Sequence, residues 1–200
     1  MTDVFFCSGF AGPEALYPGL SGRWQFAAPF LDGNEAALLA LIRASRARVL
    51  AGWSTGAHLL LKYAAELFPR FERVVLFAPF LRFTDCFPAR LTRAMAANMA
   101  QDPERTVRGF WKNCGIDAPP AWNPAWAALL ADGLAYLLVS EAPATPLAAG
   151  HVTIISGATD RIVRPAAIAN VMAALPGAGR VEHAGGHFPG LALVTDTLWP

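Results

Sequence analysis

The sequence predicts a single α/β domain in which helices cover both faces of a mostly parallel sheet. Short apolar runs alternate with segments whose apolar residues recur at helical spacing, which is the pattern of strand-helix-strand units. Hydrophobic residues make up 54% of the 200 residues and charged residues 16%, so a sizeable core is expected. In residues 50–57 (LAGWSTGA), a Ser between two glycines stands where a strand pattern gives way to a helix pattern.

Six apolar runs, each bounded by turn residues, are predicted to be strands. They lie at 4–7, 24–29, 48–53, 73–78, 151–156 and 180–182. Segments with helical periodicity fill the gaps between them. These helices are predicted at 34–46, 55–67 and 164–175, and a short one is expected after Pro189.

About seventy residues separate the predicted fourth and fifth strands, and they contain helical patterns at 88–99, 103–113 and 123–139. A single crossover helix does not need that length. We interpret residues 81–147, called here the helical insertion, as a lid placed between core segments 1–80 and 148–200. It would cover the carboxyl edge of the sheet, where open parallel sheets bind their ligands. Residues 119–120 and 142–146, which are rich in proline, are its expected hinges.

Composition argues against several classes of protein. A net charge of +1 does not fit a nucleic-acid-binding protein, which would be strongly basic. The chain has no run of about 20 apolar residues and starts without the basic flank of a signal peptide, so a cytoplasmic protein is expected. Cys7, Cys86 and Cys114 follow no metal-binding spacing and are expected to be reduced thiols. No metal or organic cofactor is implied.

The motif Gly52-x-Ser54-x-Gly56 matches a nucleophile elbow, a sharp turn between strand and helix that exposes the Ser hydroxyl. A nucleophilic Ser needs a base, and the base needs a carboxylate to orient it. After such an elbow the acid precedes the His along the chain, each on a loop that follows a late strand. Asp160 and His187 occupy those two positions and are the predicted acid and base.

Other residues compete for these roles. His183, at the end of its strand, is the alternative base, and Asp85, after the fourth strand, is the alternative acid. His58 and His151 are expected to be structural. Asp160 also has a simpler interpretation, because a lone Asp in a turn often serves as a cap.

Two backbone amides are predicted to stabilise the oxyanion that forms during acyl transfer. One belongs to Thr55, which follows the nucleophile, and the other to Phe10, in the loop after the first strand. That loop, residues 8–12 (SGFAG), is called here the oxyanion loop. The alternative for such a glycine-rich loop is an ordinary tight turn.

These residues resemble those of the α/β-hydrolases, and within them the pimeloyl-[acyl-carrier-protein] methyl ester esterases of biotin synthesis. The general resemblance covers nearly the whole chain and rests on residues 8–10 (SGF), 52–56 (GWSTG), 157–163 (GATDRIV) and 186–187 (GH). The narrower resemblance lies in the helical insertion, at residues 101–110 (QDPERTVRGF) and 132–137 (DGLAYL). The oxyanion loop departs from the family pattern, with Ser8 where a His is common and Phe10 where a Trp is common.

The resemblance implies hydrolysis of the methyl ester on a pimeloyl chain that acyl carrier protein holds, with methanol as the leaving group. It implies that the acyl chain is bound by apolar residues of the elbow, the oxyanion loop and the insertion. These are Phe10, Trp53, Phe110, Trp111 and Cys114. The expected protein is a monomer with a small acyl ester substrate on an acidic carrier.

Charge along the chain agrees with an acidic partner. Between Arg82 and Lys112 there are six basic residues and three acidic ones, although the whole chain is nearly neutral. The residues predicted to contact acyl carrier protein are Arg90, Arg93, Arg105, Arg108 and Lys112. The alternative is a solvated surface of the insertion.

Two alternative functions stay open. The same triad would serve another serine hydrolase, such as a thioesterase or a general carboxylesterase. A non-catalytic protein that binds a small molecule is the alternative from a different class, because a fold does not fix a function.

Overall fold

The computed structural model describes residues 2–200 and contains a six-stranded sheet in which all paired strands are parallel. The strands are β1 (Val4–Cys7), β2 (Gln25–Ala27), β3 (Val49–Trp53), β4 (Arg73–Phe77), β5 (Val152–Gly157) and β6 (Gly179–His183). Their order across the sheet is β2-β1-β3-β4-β5-β6. The predicted α/β architecture with a mostly parallel sheet is therefore confirmed.

Burial explains the composition of the strands. The central strands β1 (VFFC) and β4 (RVVLF) are almost wholly buried, and parallel strands covered on both faces read as continuous apolar runs. The edge strand β6 (GRVEH) is mostly exposed and is correspondingly polar. Because Cys7 pairs with Gly52 and Trp53 pairs with Phe77, the carboxyl ends of β1, β3 and β4 meet at one edge of the sheet.

Nine α-helices and two short 3-10 helices accompany this sheet in the part of the chain that the structure describes. The α-helices are α1 (Glu35–Ala44), α2 (Thr55–Lys62), α3 (Ala64–Leu67), α4 (Phe83–Cys86), α5 (Ala89–Met99), α6 (Pro103–Cys114), α7 (Trp126–Val139), α8 (Pro165–Ala174) and α9 (Gly190–Leu198). Helix α6 has clear signals at both ends. The Asp102 side chain accepts a hydrogen bond from the Arg105 amide, and Gly115 ends the helix in the left-handed conformation.

Two elements differ from the sequence prediction. The predicted helix 55–67 is broken at Tyr63 into α2 and α3, because the Tyr63 backbone leaves the helical region at φ −115° and ψ 21°. At this break the Tyr63 hydroxyl donates a 2.5 Å hydrogen bond to Glu35 on α1. The short helix α4 follows β4 and has no counterpart in the prediction.

The helical insertion contains α4 to α7, and its two ends lie side by side. The Ala142 amide donates a 2.8 Å hydrogen bond to the Leu81 carbonyl, and the side chains of Arg82 and Glu141 form an ion pair. The chain therefore leaves the sheet after β4 and returns toward β5 at nearly the same point. Between residues 2 and 200, no helix is both long enough and apolar enough to cross a membrane.

Candidate active site

Ser54 lies on a sharp turn between β3 and α2, and its backbone is strained. Its φ of 53° and ψ of −114° are unfavourable for a residue with a side chain. The turn is fixed from both sides, since the Ser54 amide donates to the Phe77 carbonyl and the Ser54 carbonyl accepts from the His58 amide. Such strain persists only where the surroundings enforce it, which is common at functional sites.

The two glycines of the motif are explained by close approach rather than by unusual backbone angles. A Cβ atom on Gly56 would lie 2.1 Å from the Cys7 carbonyl oxygen and 2.3 Å from that of Ser8. A Cβ atom on Gly52 would lie 2.9 Å from backbone atoms of Ala57. The absence of a side chain at Gly56 lets the start of α2 pack against the end of β1, beside the oxyanion loop, and its absence at Gly52 lets β3 pack closely on α2.

The structure brings the predicted nucleophile, base and acid into one hydrogen-bonded chain. Ser54 Oγ lies 2.8 Å from His187 Nε2, and His187 Nδ1 lies 2.9 Å from Asp160 Oδ2. With a carboxylate at Nδ1, the neutral imidazole carries its proton there, so Nε2 accepts from the Ser54 hydroxyl. This is the arrangement in which a His can take the proton of an attacking Ser.

Asp160 is held in place by its own loop. Its Oδ1 accepts hydrogen bonds from the amides of Ile162, at 2.7 Å, and Val163, at 2.9 Å, which leaves Oδ2 for His187. Asp160 is thus both a turn cap and the partner of the imidazole. The two properties are compatible because a carboxylate has two oxygens.

The loops that carry Asp160 and His187 are joined by their backbones. The Ala158 amide donates to the His183 carbonyl at 2.8 Å, and the Thr159 amide donates to the Gly185 carbonyl at 3.1 Å. A Cβ atom on Gly157 would lie 2.2 Å from the Gly186 carbonyl oxygen, so only glycine permits this approach. The separation of acid and base is therefore set by backbone contacts.

The two amides predicted to hold the oxyanion have no acceptor among residues 2–200. The amide of Thr55 is the first of helix α2, and the amide of Phe10 lies in the oxyanion loop. This loop packs on the residue before the nucleophile, because Cβ atoms on Gly9 and Gly12 would lie 2.8 and 2.9 Å from the Trp53 ring. The role of the two amides as oxyanion donors stays a prediction.

The residues predicted to bind the acyl chain are all buried. The rings of Phe10 and Phe110 meet edge to face, with centroids 5.3 Å apart. Trp53 donates its indole N–H to the His187 carbonyl at 2.9 Å, and Trp111 donates its indole N–H to the Ala11 carbonyl at 2.7 Å. Sequence reasoning missed these two hydrogen bonds, since they join residues about 100 or more positions apart. Contact between an acyl chain and these residues or Cys114 stays a prediction.

The other residues considered as base or acid take no part in the hydrogen-bonded chain from Ser54 through His187 to Asp160. His183 accepts a hydrogen bond from the Gly185 amide, and burial lowers its pKa. His151 lies 3.1 Å from the Phe68 carbonyl, between core elements. Asp85 is exposed on α4, and the acid that contacts His187 is Asp160.

His58 is fully buried and links helix α2 to Phe80, just before the helical insertion, and to Ser140 near the end of the insertion. Its Nδ1 lies 3.2 Å from the Phe80 carbonyl, which can only accept, so Nδ1 carries the proton. Its Nε2 lies 2.8 Å from the Ser140 hydroxyl, which donates to it. Burial, with a smaller effect of the nearby Lys62, lowers the His58 pKa to about 4, and His58 is neutral at physiological pH.

Acid should weaken the folded state through His58. Its pKa is about 4 when folded and 6.5 ordinarily, so between these values the unfolded chain binds a proton that the folded chain does not. This contribution to stability is complete above pH 6.5 and is lost as the pH falls toward 4, by about 3 kcal/mol. Urea unfolding at pH 7, 6 and 5 should show a steeper loss for the wild type than for His58→Gln. Equal slopes for the two proteins would contradict the assignment.

The five basic residues predicted to contact a carrier protein are all exposed on α5 and α6. Arg108 forms an ion pair with Glu104 at 2.8 Å. The other four, Arg90, Arg93, Arg105 and Lys112, have no ion-pair partner within residues 2–200. Most of the predicted basic surface is therefore free to meet an acidic partner.

The three cysteines are free thiols and all are buried. Burial raises the pKa of Cys86 to about 12, with a smaller contribution from the charge of Asp160, and burial also raises the pKa values of Cys7 and Cys114. A thiol is nucleophilic only as the thiolate. None of the three therefore competes with Ser54 as a nucleophile at neutral pH.

The site is closed in this structure. Ser54 is 3% exposed and His187 is 2% exposed. A substrate carbonyl can reach Ser54 Oγ only when some of the side chains around it move.

No family model matches the chain, and no curated protein matches it. Many solved structures are similar to it in fold. An esterase from Exiguobacterium antarcticum is 15% identical with a TM-score of 0.73, and a hydrolase from Pseudomonas aeruginosa PA01 is 18% identical with a TM-score of 0.68. Both alignments cover 98% of this chain and 89% of the other.

A thioesterase from the prodiginine biosynthetic pathway of Streptomyces coelicolor is also similar. It is 17% identical with a TM-score of 0.62, and the alignment covers 93% of this chain and 78% of that one. At these identities the likeness concerns the fold and not the substrate. Together with the parallel sheet and the turn that carries Ser54, it shows that this chain has the α/β-hydrolase fold.

Proposed function

We propose that this protein is a serine esterase that hydrolyses a carboxylic ester through an acyl-enzyme. The observation that carries the proposal is the hydrogen-bonded chain from Ser54 through His187 to Asp160, with distances of 2.8 and 2.9 Å. Three residues from three separate loops meet in the geometry that nucleophilic catalysis requires. A ligand-binding protein would have no need of this geometry.

The reaction follows from these positions. Ser54 Oγ attacks the ester carbonyl while His187 Nε2 takes its proton, and the amides of Phe10 and Thr55 stabilise the resulting oxyanion. His187 then gives the proton to the leaving alcohol, which departs as the carbonyl re-forms. Water, activated by His187, hydrolyses the acyl-enzyme and restores Ser54. Asp160 keeps the imidazole oriented and stabilises its charged form.

We further propose that the ester is the methyl ester of a pimeloyl chain carried by acyl carrier protein, in cytoplasmic biotin synthesis. Support comes from the resemblance of residues 101–110 and 132–137 to the lid of that family and from the apolar rings of Phe10 and Phe110. The exposed basic residues of α5 and α6 add to it, because they suit an acidic carrier. In this proposal the carrier rests on the insertion while the acyl chain reaches Ser54.

Hydrolysis of methyl pimeloyl-acyl carrier protein by the purified protein tests the substrate. We expect turnover of this ester, with a kcat/KM at least about 10-fold above that of free dimethyl pimelate, because the carrier adds binding energy remote from the reacting bond. Methanol release and the mass of the acyl carrier product would be measured. Turnover of the free ester alone would leave the esterase proposal intact and remove the carrier from it.

Reversing the charge of basic residues on α6 distinguishes binding of the carrier from hydrolysis of the ester. Arg105→Glu combined with Lys112→Glu should raise KM for the carrier-bound ester about 5-fold or more and leave the free ester unaffected. Arg46→Glu is the matched control, since Arg46 is exposed just after α1, at the opposite edge of the sheet.

The alternatives are distinguished by two further readings. If the protein cleaves the thioester that joins the acyl chain to its carrier, and not the methyl ester, it is a thioesterase with the same triad. If a fluorophosphonate probe leaves Ser54 unlabelled in the native protein, the triad is not reactive and a binding function is favoured.

A further inference from the structure

The oxyanion loop contains an alanine in an unfavourable conformation. The Gly12 amide donates to the Gly9 carbonyl at 3.1 Å, which closes a four-residue turn with Phe10 and Ala11 at its centre. Ala11 has a φ of 52°, a value that such turns usually assign to glycine because a Cβ atom is crowded there. Something outside the turn must hold it in place.

Trp111 of helix α6 makes the contact that holds this turn. Its indole N–H donates a 2.7 Å hydrogen bond to the Ala11 carbonyl, and the Trp111 side chain is fully buried. The neighbouring Phe110 packs edge to face on Phe10. A buried carbonyl that loses its donor is left without water to replace it, so this hydrogen bond resists breaking.

The same end of α6 also contacts the loop that carries the base, one turn further along the helix. The Cys114 carbonyl accepts a 2.9 Å hydrogen bond from the amide of Phe188, the residue after His187. One helix therefore contacts both the oxyanion loop and the His187 loop. A shift of α6 would change the position of the Phe10 amide relative to His187.

We propose that Trp111 is a positioning residue that keeps the Phe10 amide directed at the oxyanion, and that α6 is a fixed wall of the active site rather than a mobile lid. This inference rests on the esterase activity proposed above. Trp111 acts through Ala11 and need not touch the substrate. Trp111 should therefore affect the stability of the transition state more than substrate binding, because an oxyanion donor interacts most strongly when negative charge develops on the carbonyl oxygen.

The variant Trp111→Phe removes the indole N–H and keeps an aromatic ring in the core. With a free p-nitrophenyl ester we expect kcat to fall about 10- to 100-fold and KM to stay within about 2-fold of wild type. The fall should be smaller than that caused by deleting an oxyanion donor, which costs about 10² to 10³, because the Phe10 amide is displaced and not removed.

Trp24→Phe is the matched control. Trp24 is also buried, and its indole N–H donates a 2.8 Å hydrogen bond to Glu14, away from the triad. This variant should lose thermal stability to a similar extent and keep the kcat of the wild type. The difference in kcat between the two variants therefore measures positioning rather than general loosening of the core.

A second replacement at position 111 keeps the test valid if Trp111→Phe does not fold. Substituting 3-benzothienylalanine for Trp111 preserves the two-ring shape and replaces the N–H by sulfur. A 10-fold or greater fall in kcat with unchanged KM supports the proposal. A kcat equal to wild type in a folded variant overturns it, as does an equal fall in Trp24→Phe. If the wild type itself hydrolyses no ester, the esterase proposal and the role given to Trp111 are both overturned, whereas an active wild type with an equally active Trp111→Phe overturns only the latter.

Discussion

Replacement of Ser54 by Ala should lower kcat for ester hydrolysis by about 10⁴-fold or more. An alanine side chain has no oxygen to attack the carbonyl, and His187 would then lie beside a methyl group in place of the hydroxyl now 2.8 Å away. The rate that remains would come from the oxyanion amides and substrate binding. Steady-state hydrolysis of a p-nitrophenyl ester, with the wild type and the variant purified on separate columns, measures the loss.

Ser54→Gly serves as the control for folding. Glycine adopts the Ser54 backbone angles without strain, so this variant should be about 1 kcal/mol more stable than Ser54→Ala and equally inactive. Inactivity combined with undiminished stability would exclude unfolding as the cause. Substantial turnover in either variant would show that another group is the nucleophile.

Replacement of Gly56 by Ala should lower the free energy of unfolding by about 3 kcal/mol or more and reduce activity with it. The added methyl carbon would lie 2.1 and 2.3 Å from the carbonyl oxygens of Cys7 and Ser8. Backbone atoms cannot rotate away as a side chain does, so helix α2 and the end of β1 must separate. Because that end of β1 leads into the oxyanion loop, the Phe10 amide should move as well.

Gly109→Ala is the matched control for this effect. Gly109 lies within α6, and a Cβ atom there would meet nothing within 4 Å. The same chemical change should therefore raise stability by about 0.5 to 1 kcal/mol, because alanine favours the helix. Urea unfolding of both variants gives the comparison. If Gly56→Ala were as mild as Gly109→Ala, the close approach of α2 to β1 would be wrong.

The sequence was sufficient to predict the sheet and the meeting of Ser54, His187 and Asp160. Buried parallel strands are short continuous apolar runs, and their carboxyl ends must lie at one edge of the sheet. Residues on the loops that follow β3, β5 and β6 are therefore brought together by topology alone. The sequence also carries end signals for α6 that the prediction did not use, Asp102 at its start and Gly115 after its end.

Other features could not be predicted because they depend on contacts between distant parts of the chain. Tyr63 interrupts a segment with unbroken helical periodicity, and its hydroxyl binds Glu35 on another helix, a contact that no local pattern indicates. The positive φ of Ala11 has no sequence signal, because glycine is the residue expected there. Trp111 was predicted to line an acyl channel, and no local pattern indicates that its indole contacts the oxyanion loop.

The adjacent ends of the helical insertion have a consequence for how proteins of this fold can change the ligands they bind. Since Leu81 and Ala142 are hydrogen-bonded neighbours, a segment of different length could join the sheet at the same two points without altering any strand. Exchange of the whole segment is therefore geometrically simple. A replacement segment without counterparts of Trp111 and the Cys114 carbonyl, however, would leave the oxyanion loop and the His187 loop without the hydrogen bonds that now hold them. We therefore expect recombination between proteins of this fold to succeed where the incoming segment contains residues that hydrogen-bond to both of those loops.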